Sequence, residues 1–329
     1  MNRHRIGRTQ VRVTEVGFGG APLGNLFKPV SDDEALAAVR TAWDGGVRYF
    51  DTAPHYGLGL SERRMGAALR DKPRDEYVLS TKIGRLLVDN PRPTGSDLAS
   101  GGFAVPDTLT RRADYSRDGV RRSLDASLDR LGLDRVDIVY VHDAEEHLEQ
   151  ALVEAVPALV ELRDEGVVAA IGAGMNFVGP LLRFVTETDV DAVMLAGRWT
   201  LADRRGEPLL AACAERGLSL VAAAPFNSGL LSHPSPPDDA HFDYGRAPAD
   251  VLDFARRLAA ACAAAGATLP HAAMQFPLRH PAVPTVVVGM HTAAQARANL
   301  NWAERPLPPG LWEELAALDP ERPASLMGN

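Results

Sequence analysis

The sequence predicts an α/β protein of the (β/α)8 TIM-barrel class, with long active-site loops at the C-terminal face of the strands. Three observations carry this. Short β-branched runs alternate with amphipathic helical segments, eight units in 329 residues. One run, Val136–Val141, is almost unbroken in apolar residues, as a strand buried on both faces is. No linker-like stretch interrupts the rhythm, so one domain over residues 1–329 is expected. A doubly wound open sheet shows the same alternation and is the alternative.

Val11–Val16 is the first expected strand, ending in Gly17-Phe18-Gly19-Gly20, which reads as a close-approach segment at the barrel mouth. It lacks the third glycine and the acidic partner of a dinucleotide fingerprint. Ser31 with Glu34 forms a capping box, and Gly45-Gly46 stops the helix Asp32–Asp44, whose Leu36, Val39 and Trp43 share a stripe. Val47–Asp51 is the second strand, Ser61–Arg70 a helix and Tyr77–Lys82 the third strand. Arg85–Asp114, rich in Pro and Gly, reads as a long irregular loop, a length that points to function. Then come helix Ser116–Leu131, strand Val136–Val141, helix Leu148–Glu165, strand Val167–Ile171, helix Val178–Thr186, strand Ala192–Leu195 and helix Leu209–Arg216. Strand Leu218–Ala224, a second loop Ser232–Pro248, helix Val251–Ala265, strand Val286–Val288 and helix Ala293–Trp302 complete the alternation.

Composition narrows the function classes. Hydrophobic residues make up 46%, charged 24% and aromatic 6%, which excludes extended disorder and collagen-like repeats. With 35 basic and 43 acidic residues the net charge is −8, which disfavours nucleic acid or an anionic membrane as partner. The longest apolar stretches, around Leu218–Ala224 and Val283–Met290, fall short of the roughly 20 residues a membrane span needs. The basic Met1–Arg5 is followed by no apolar core, so a cytoplasmic protein is expected. Cys213 and Cys262 read as small buried hydrophobes of a reducing compartment. The nine histidines form no ligand cluster, with no HxH after the first strand and His142, His147, His233 and His241 scattered, so no metal is expected. The helices show no excess apolar face that would read as a subunit contact.

Ionisable residues fall at the ends of three successive strands: Asp51, Lys82 and His142, with Tyr56 in the loop after the first of them. Each is a poor continuation of a buried strand, because desolvation is costly without a partner. A strand-end Asp is often a turn cap and a strand-end Lys often reaches solvent. Together, however, they sit where barrel enzymes place their chemistry. Free tyrosine titrates near pH 10, and a neighbouring ammonium is expected to lower the pKa of Tyr56. Asp51 would keep Lys82 charged, and His142 would orient a substrate oxygen. Such a group moves a proton on or off a carbonyl or alcohol oxygen, and a hydride carrier would complete an oxidoreductase.

The stretch Tyr49-Phe50-Asp51-Thr52-Ala53-Pro54-His55-Tyr56-Gly57, continuing through Leu60-Ser61-Glu62, with Ser80-Thr81-Lys82 and Asp137–His142, resembles the aldo-keto reductase superfamily. The resemblance covers almost the whole chain. It implies a (β/α)8 barrel binding NAD or NADP, with Tyr56 as general acid/base, Lys82 and Asp51 as its tuning pair and His142 as the orienting residue. It also implies a cofactor segment, Pro225, Phe226, Asn227, Ser228, Gly229 and Leu230, around the pyrophosphate. Gly289, His291, Gln295 and Asn299 are implied around the adenosine, Trp199 as the aromatic stacked on the nicotinamide, and Asn176 at the carboxamide. The chain departs from the pattern at Gly172–Met175, where a Ser-Asn pair is usual, and at Ala196, where a glutamine is usual. No Arg or Lys lies among Gly289, Met290, His291 and Gln295 to meet a 2′-phosphate, which favours NAD.

Within the superfamily the sequence is most similar to the bacterial aldose dehydrogenase group. That implies oxidation of the anomeric hydroxyl of an aldose, of L-fucose or D-threo type, to a lactone. Pyridoxal 4-oxidation and NADPH-dependent reduction of aldehydes or ketones are the alternatives. A channel-associated regulatory role and a metal hydrolase are the readings from other classes. Asp89, Asn90, Asp107, Arg111, Asp243 and Tyr244, on the two long loops, are candidates for sugar hydroxyl contacts or for solvated loop.

Overall fold

A computed structural model describes residues 1–327. Eight parallel strands close into a barrel. They are β1 (Val16–Gly19), β2 (Tyr49–Asp51), β3 (Val78–Ile83), β4 (Ile138–His142), β5 (Ala170–Met175), β6 (Ala192–Ala196), β7 (Ser219–Ala223) and β8 (Val286–Gly289). Each pairs with its neighbours in sequence, and β8 pairs with β1 from Val286↔Val16 to Gly289↔Gly19, closing the ring. The connecting helices are α1 (Asp32–Asp44), α2 (Leu60–Leu69), α3 (Arg117–Leu131), α4 (Val156–Asp164), α5 (Val178–Glu187), α6 (Glu207–Arg216), α7 (Ala249–Ala264) and α8 (Leu269–Gln275). Helix α9 (Ala293–Glu304) follows β8 and packs on α1 and α8 to complete the alternation, and α10 (Leu311–Ala316) comes after it.

The capping signals act as expected. Ser31 accepts from the Glu34 backbone while Glu34 reaches back to the Ser31 N–H at 3.0 Å, starting α1. Ser116 caps α3, and Gly132 ends it in the left-handed conformation. A cap of this kind is worth about 1 kcal/mol.

Several boundaries differ from the sequence expectation. The apolar Val11–Val16 run is not a barrel strand. Its Arg12–Thr14 part pairs with Arg3–Arg5 in an antiparallel hairpin, and β1 starts at Val16. The hairpin's Ile6, Val11 and Val13 fill the floor of the barrel against Tyr49, Ile138, Tyr140 and Val221. Burial thus explains the run without strand β1. The fifth strand lies later than Val167–Ile171 and takes in Gly172 and Gly174. A Cβ at Gly172 would meet Ala192 O at 2.2 Å, so the small residues there serve strand packing. The expected helix Leu148–Glu165 is broken by a π-helical turn, Ala151–Ala155, before α4. Pro157 has no N–H to continue the ladder there. The loop Arg85–Asp114 is not irregular throughout. Its ends form a hairpin, Arg85–Asp89 with Leu109–Ala113, and the Pro/Gly-rich part is its long tip. In the second loop, His241–Phe242 pairs briefly with Gly245–Arg246. Helices α8 and α10 carry no strong sequence signal and were not expected.

Three apolar clusters result: one inside the barrel, one between strands and helices, and a small one around Leu58, Phe103 and Val105. Polar groups also enter the barrel interior. Tyr140 Oη lies 3.3 Å from Tyr49 Oη, which lies 3.2 Å from Ser80 Oγ. That chain of hydroxyls leads up to the C-terminal end of the strands. No helix among the described residues is long and apolar enough to cross a membrane.

Candidate active site

Asp51 and Lys82 end or nearly end β2 and β3, so the parallel register sets them side by side. Lys82 Nζ donates to Asp51 Oδ2 at 2.6 Å and to Thr52 O at 2.9 Å. Ser80 Oγ donates to the other carboxylate oxygen at 2.6 Å. Asp51 is 2% exposed and Lys82 1%, and burial of opposite charges at this distance is tolerable only as a pair. The lysine ammonium sits over the Tyr56 ring, 4.9 Å from its centroid. His142, the last residue of β4 and 6% exposed, meets Tyr56 edge-on at 5.7 Å between ring centroids. The structure therefore brings Asp51, Tyr56, Lys82 and His142 together.

The rest of the quoted motif supports this arrangement. Ser61 Oγ donates to Gly20 O at 2.7 Å and lies 2.8 Å from Thr52 Oγ1, tying the loop after β1 to the end of β2. Buried Glu62 accepts from Thr81 Oγ1 at 2.8 Å and from Arg130 Nε at 2.6 Å. Gly57 adopts φ +61°, and a Cβ on it would meet Gly24 O at 2.3 Å. Only glycine lets the chain turn there directly after Tyr56.

The electrostatics reverse one expectation. Tyr56 is pushed well above the usual tyrosine range, first by burial and then by the Asp51 and Asp143 carboxylates. The Lys82 charge is compensated by Asp51 at 2.6 Å, so it does not depress the phenol as the sequence reading expected. Tyr56 is held in its protonated, acid form. Burial also drives His142 well below the ordinary histidine range, helped by Lys82 and Arg85. Its Nδ1 is buried with no hydrogen-bond partner.

These residues face a cavity of about 590 Å³ at the C-terminal mouth of the barrel. Its wall includes Gly19, Met194, Ala196, Ala223, Ala224 and Gly289. A Cβ at Gly289 would stand 2.9 Å from Pro22 Cγ, so that wall has no room for a side chain. The small residues Ala196 and Ala223 at the ends of β6 and β7 leave room at that wall for a bulky group. This cleared wall, with Asn176 and Ser228 beside it, fits an elongated, partly planar cofactor across the mouth.

Of the expected cofactor residues, Asn176, Ser228 and Gly289 line the cavity. Asn176 Nδ2 donates to Tyr244 Oη at 3.3 Å, and Ser228 Oγ accepts from Tyr244 N at 3.1 Å. Trp199 is a correction. It packs in the outer shell, 5.1 Å from Phe276 and 6.0 Å from His280, and Nε1 donates to Pro277 O at 3.3 Å. Apolar burial accounts for its position, and it presents no face to the cavity. In the segment after β7, Pro225 and Leu230 are buried, Phe226 meets Trp302 edge-on at 6.1 Å, and Gly229 adopts φ +101°. Asn227 is fully engaged: it accepts from Thr200 Oγ1 at 2.6 Å and donates to Gly197 O at 2.8 Å. That engagement joins the loops after β6 and β7. His291 N donates to Gln295 Oε1 at 2.7 Å at the start of α9, and Asn299 is buried on the same helix. Burial and nearby Lys28 hold the His291 ring below its usual range.

The sequence reading gave no role to His55, Arg85, Phe103 and Asp143, which lie in the cavity wall. The signal for two of them was present. His55 lies inside the quoted motif, and Asp143 directly follows His142. Arg111, a loop candidate, pairs with Asp97 in two short bonds of 2.5 and 2.6 Å and donates to His55 O at 2.8 Å. It therefore braces the motif loop. Phe27 and Tyr244, both exposed and both at positive φ, meet across the mouth at 6.5 Å.

Comparison with known proteins agrees with this geometry. The Aldo/keto reductase family profile matches residues 15–320. The chain is 50% identical over 308 residues to a D-threo-aldose 1-dehydrogenase of Pseudomonas sp, covering 92% of this chain and 93% of the relative. It is 39% identical to a pyridoxal 4-dehydrogenase of Microbacterium luteolum, covering 95% and 96%. Among solved structures, the holo form of aldo-keto reductase AKR11C1 from Bacillus halodurans superposes with a TM-score of 0.78 at 24% identity, covering 97% of this chain and 96% of that one, a likeness of fold. The barrel, the four converging side chains and the profile match have one meaning: this chain is an oxidoreductase of the aldo/keto reductase family.

Proposed function

We propose that the chain is a single-domain, NAD(P)-dependent aldose 1-dehydrogenase that favours NAD and oxidises the anomeric hydroxyl of a sugar to the lactone. The observation that carries this reading is the convergence of Tyr56, Lys82, Asp51 and His142 on one cavity. The 50% identity to a D-threo-aldose 1-dehydrogenase supports the substrate class. When bound, the dinucleotide supplies the hydride acceptor or donor. Tyr56 exchanges the proton of the reacting oxygen, and neutral His142 hydrogen-bonds that oxygen and orients it. Lys82 holds the phenol by facing its ring, and Asp51 fixes the ammonium. Ala196, Ala223 and Gly289 keep the neighbouring wall clear, and Asn176 and Ser228 offer it polar contacts. Buried Cys213 and Cys262, both free, are in keeping with a reducing compartment such as the cytoplasm.

The test is a screen of free sugars, among them L-fucose, D-arabinose and L-galactose, following NADH appearance, against a panel of simple aldehydes with NADPH. Sugar oxidation with NAD at the higher kcat/KM is expected, and a clear advantage for aldehydes with NADPH overturns the reading. The Michaelis constant for NAD is expected below that for NADP, since Gly289–Gln295 offers no Arg or Lys to a 2′-phosphate. The reverse order in steady-state assays refutes the preference.

The raised Tyr56 pKa favours the acid form, which serves carbonyl reduction, so the reductase direction is the second reading. It also sets the pH dependence. Oxidation needs the deprotonated phenol, whose population below its pKa grows tenfold per pH unit. The logarithm of kcat/KM for oxidation should therefore climb with a slope near one from about pH 6 to about pH 9, while reduction stays level. His55 and His142 are both held below their usual range and add no titration in that window. Profiles measured in both directions check this. An oxidation rate that is level across neutrality is the contrary result.

A further inference from the structure

Asp143 follows His142 at the end of β4 in the left-handed region, with φ +43°. A non-glycine residue there is uncommon, and such strain persists only where surroundings enforce it. The enforcement is visible. Tyr115 Oη donates towards His142 O at 2.6 Å and Asp143 O at 2.9 Å, and Asp143 N donates to Gly174 O at 3.0 Å. The Tyr115 ring occupies space that a Cβ at Gly84 would fill, at 2.1 Å. The turn brings the Asp143 carboxylate into the cavity wall, with Oδ2 3.0 Å from Arg85 Nη2 and 3.5 Å from His142 Nε2. Its Oδ1 has no hydrogen-bond partner among the described residues. On the other side of His142, the His55 ring lies 5.7 Å away and packs edge-on against Phe103 at 5.3 Å. His55 Nδ1 is buried and without a partner, and burial with nearby Arg111 and Arg85 keeps the ring neutral, its pKa pushed down to about 2.

His55 and Asp143 thus flank His142 on the cavity wall, and Asp143, its side chain 26% exposed, keeps one carboxylate oxygen without a partner there. A monofunctional aldehyde offers these side chains one oxygen. A cyclic sugar carries hydroxyls on the carbons beside the reacting one and can meet several polar groups at once. We infer that Asp143 and His55 are specificity-determining residues that hydrogen-bond the hydroxyls neighbouring the reacting carbon of a polyhydroxylated substrate, with Arg85 as the positioning residue for the Asp143 carboxylate. This rests on the aldose reading and adds which side chains read the sugar.

Asp143→Asn is the informative change, because asparagine accepts the left-handed backbone while losing the charge. His55→Phe keeps a ring against Phe103 and removes the nitrogens. Steady-state kinetics would compare an oxidised aldose with its monodeoxy analogues in wild type and both variants, with reduction of an unsubstituted aldehyde alongside. A hydrogen bond to a charged group is worth about 1.5–3 kcal/mol, about 10- to 150-fold. The wild type should favour the parent sugar over one deoxy analogue by at least about tenfold, and Asp143→Asn should erase that preference, mainly through KM. His55→Phe should erase the preference at a different hydroxyl. If both variants keep every wild-type preference, or lower sugar and aldehyde turnover by one common factor with KM unchanged, the inference is overturned. A wild type that oxidises no sugar overturns the aldose reading and this inference together. A wild type that does, with preferences untouched in the variants, overturns only the inference. Should Asp143→Asn fail to fold, His55→Phe on the same series decides.

Discussion

Tyr56→Phe is expected to lower turnover by about 10²–10⁴-fold in either direction, the usual worth of a positioned proton donor or acceptor. Phenylalanine keeps the ring that Lys82 faces at 4.9 Å and that His142 meets edge-on at 5.7 Å. The Asp51–Lys82 pair and the cavity wall are untouched, so dinucleotide binding should stay within about threefold of wild type, as for any change that removes only transition-state interactions. Fluorescence titration and single-turnover assays on one preparation check both halves. Retention of more than about a tenth of wild-type turnover would remove Tyr56 from the chemistry.

Lys82→Met should damage stability and activity together. Asp51 would remain 2% exposed, with its carboxylate held only by Ser80 Oγ at 2.6 Å. Breaking a buried pair from one side costs about 3–5 kcal/mol, because a charge is left uncompensated. The double change Asp51→Asn with Lys82→Met removes both charges and should recover a substantial part of that loss. It should not recover turnover, because the ammonium that faces the Tyr56 ring is gone. Urea denaturation of the three variants, with kcat measured on each, separates the effects. If the double variant is no more stable than Lys82→Met alone, the pairing account of this site fails.

The sequence made the barrel readable because eight units each carried a usable period, cap or turn. It misassigned Val11–Val16 because apolar residues that plug a barrel floor have the composition of a strand. It placed Asp51, Lys82 and His142 correctly at strand ends because the parallel register converts position along the chain into position around a ring. Trp199 was misjudged for the opposite reason. An aromatic near a strand end can turn inward or outward, and that choice depends on Phe276 and His280, which lie far along the chain. The Tyr56 pKa was expected low because one neighbour was counted. Three-dimensional burial and the closeness of Asp51 to Lys82 decide it, and neither is written in local sequence. The place of Asp143 beside His142 is legible, but its left-handed backbone is not, because such strain has no compositional mark except at glycine.

The hairpin stoppers the barrel floor, so among the described residues the cavity opens at the C-terminal mouth. Hydride transfer requires two molecules in contact inside it, and both must pass the same rim, where Phe27 and Tyr244 approach each other. Traffic is then last in, first out: whichever molecule seats deeper must arrive earlier and depart later. Product-inhibition patterns should accordingly show a compulsory sequence of arrival rather than independent exchange.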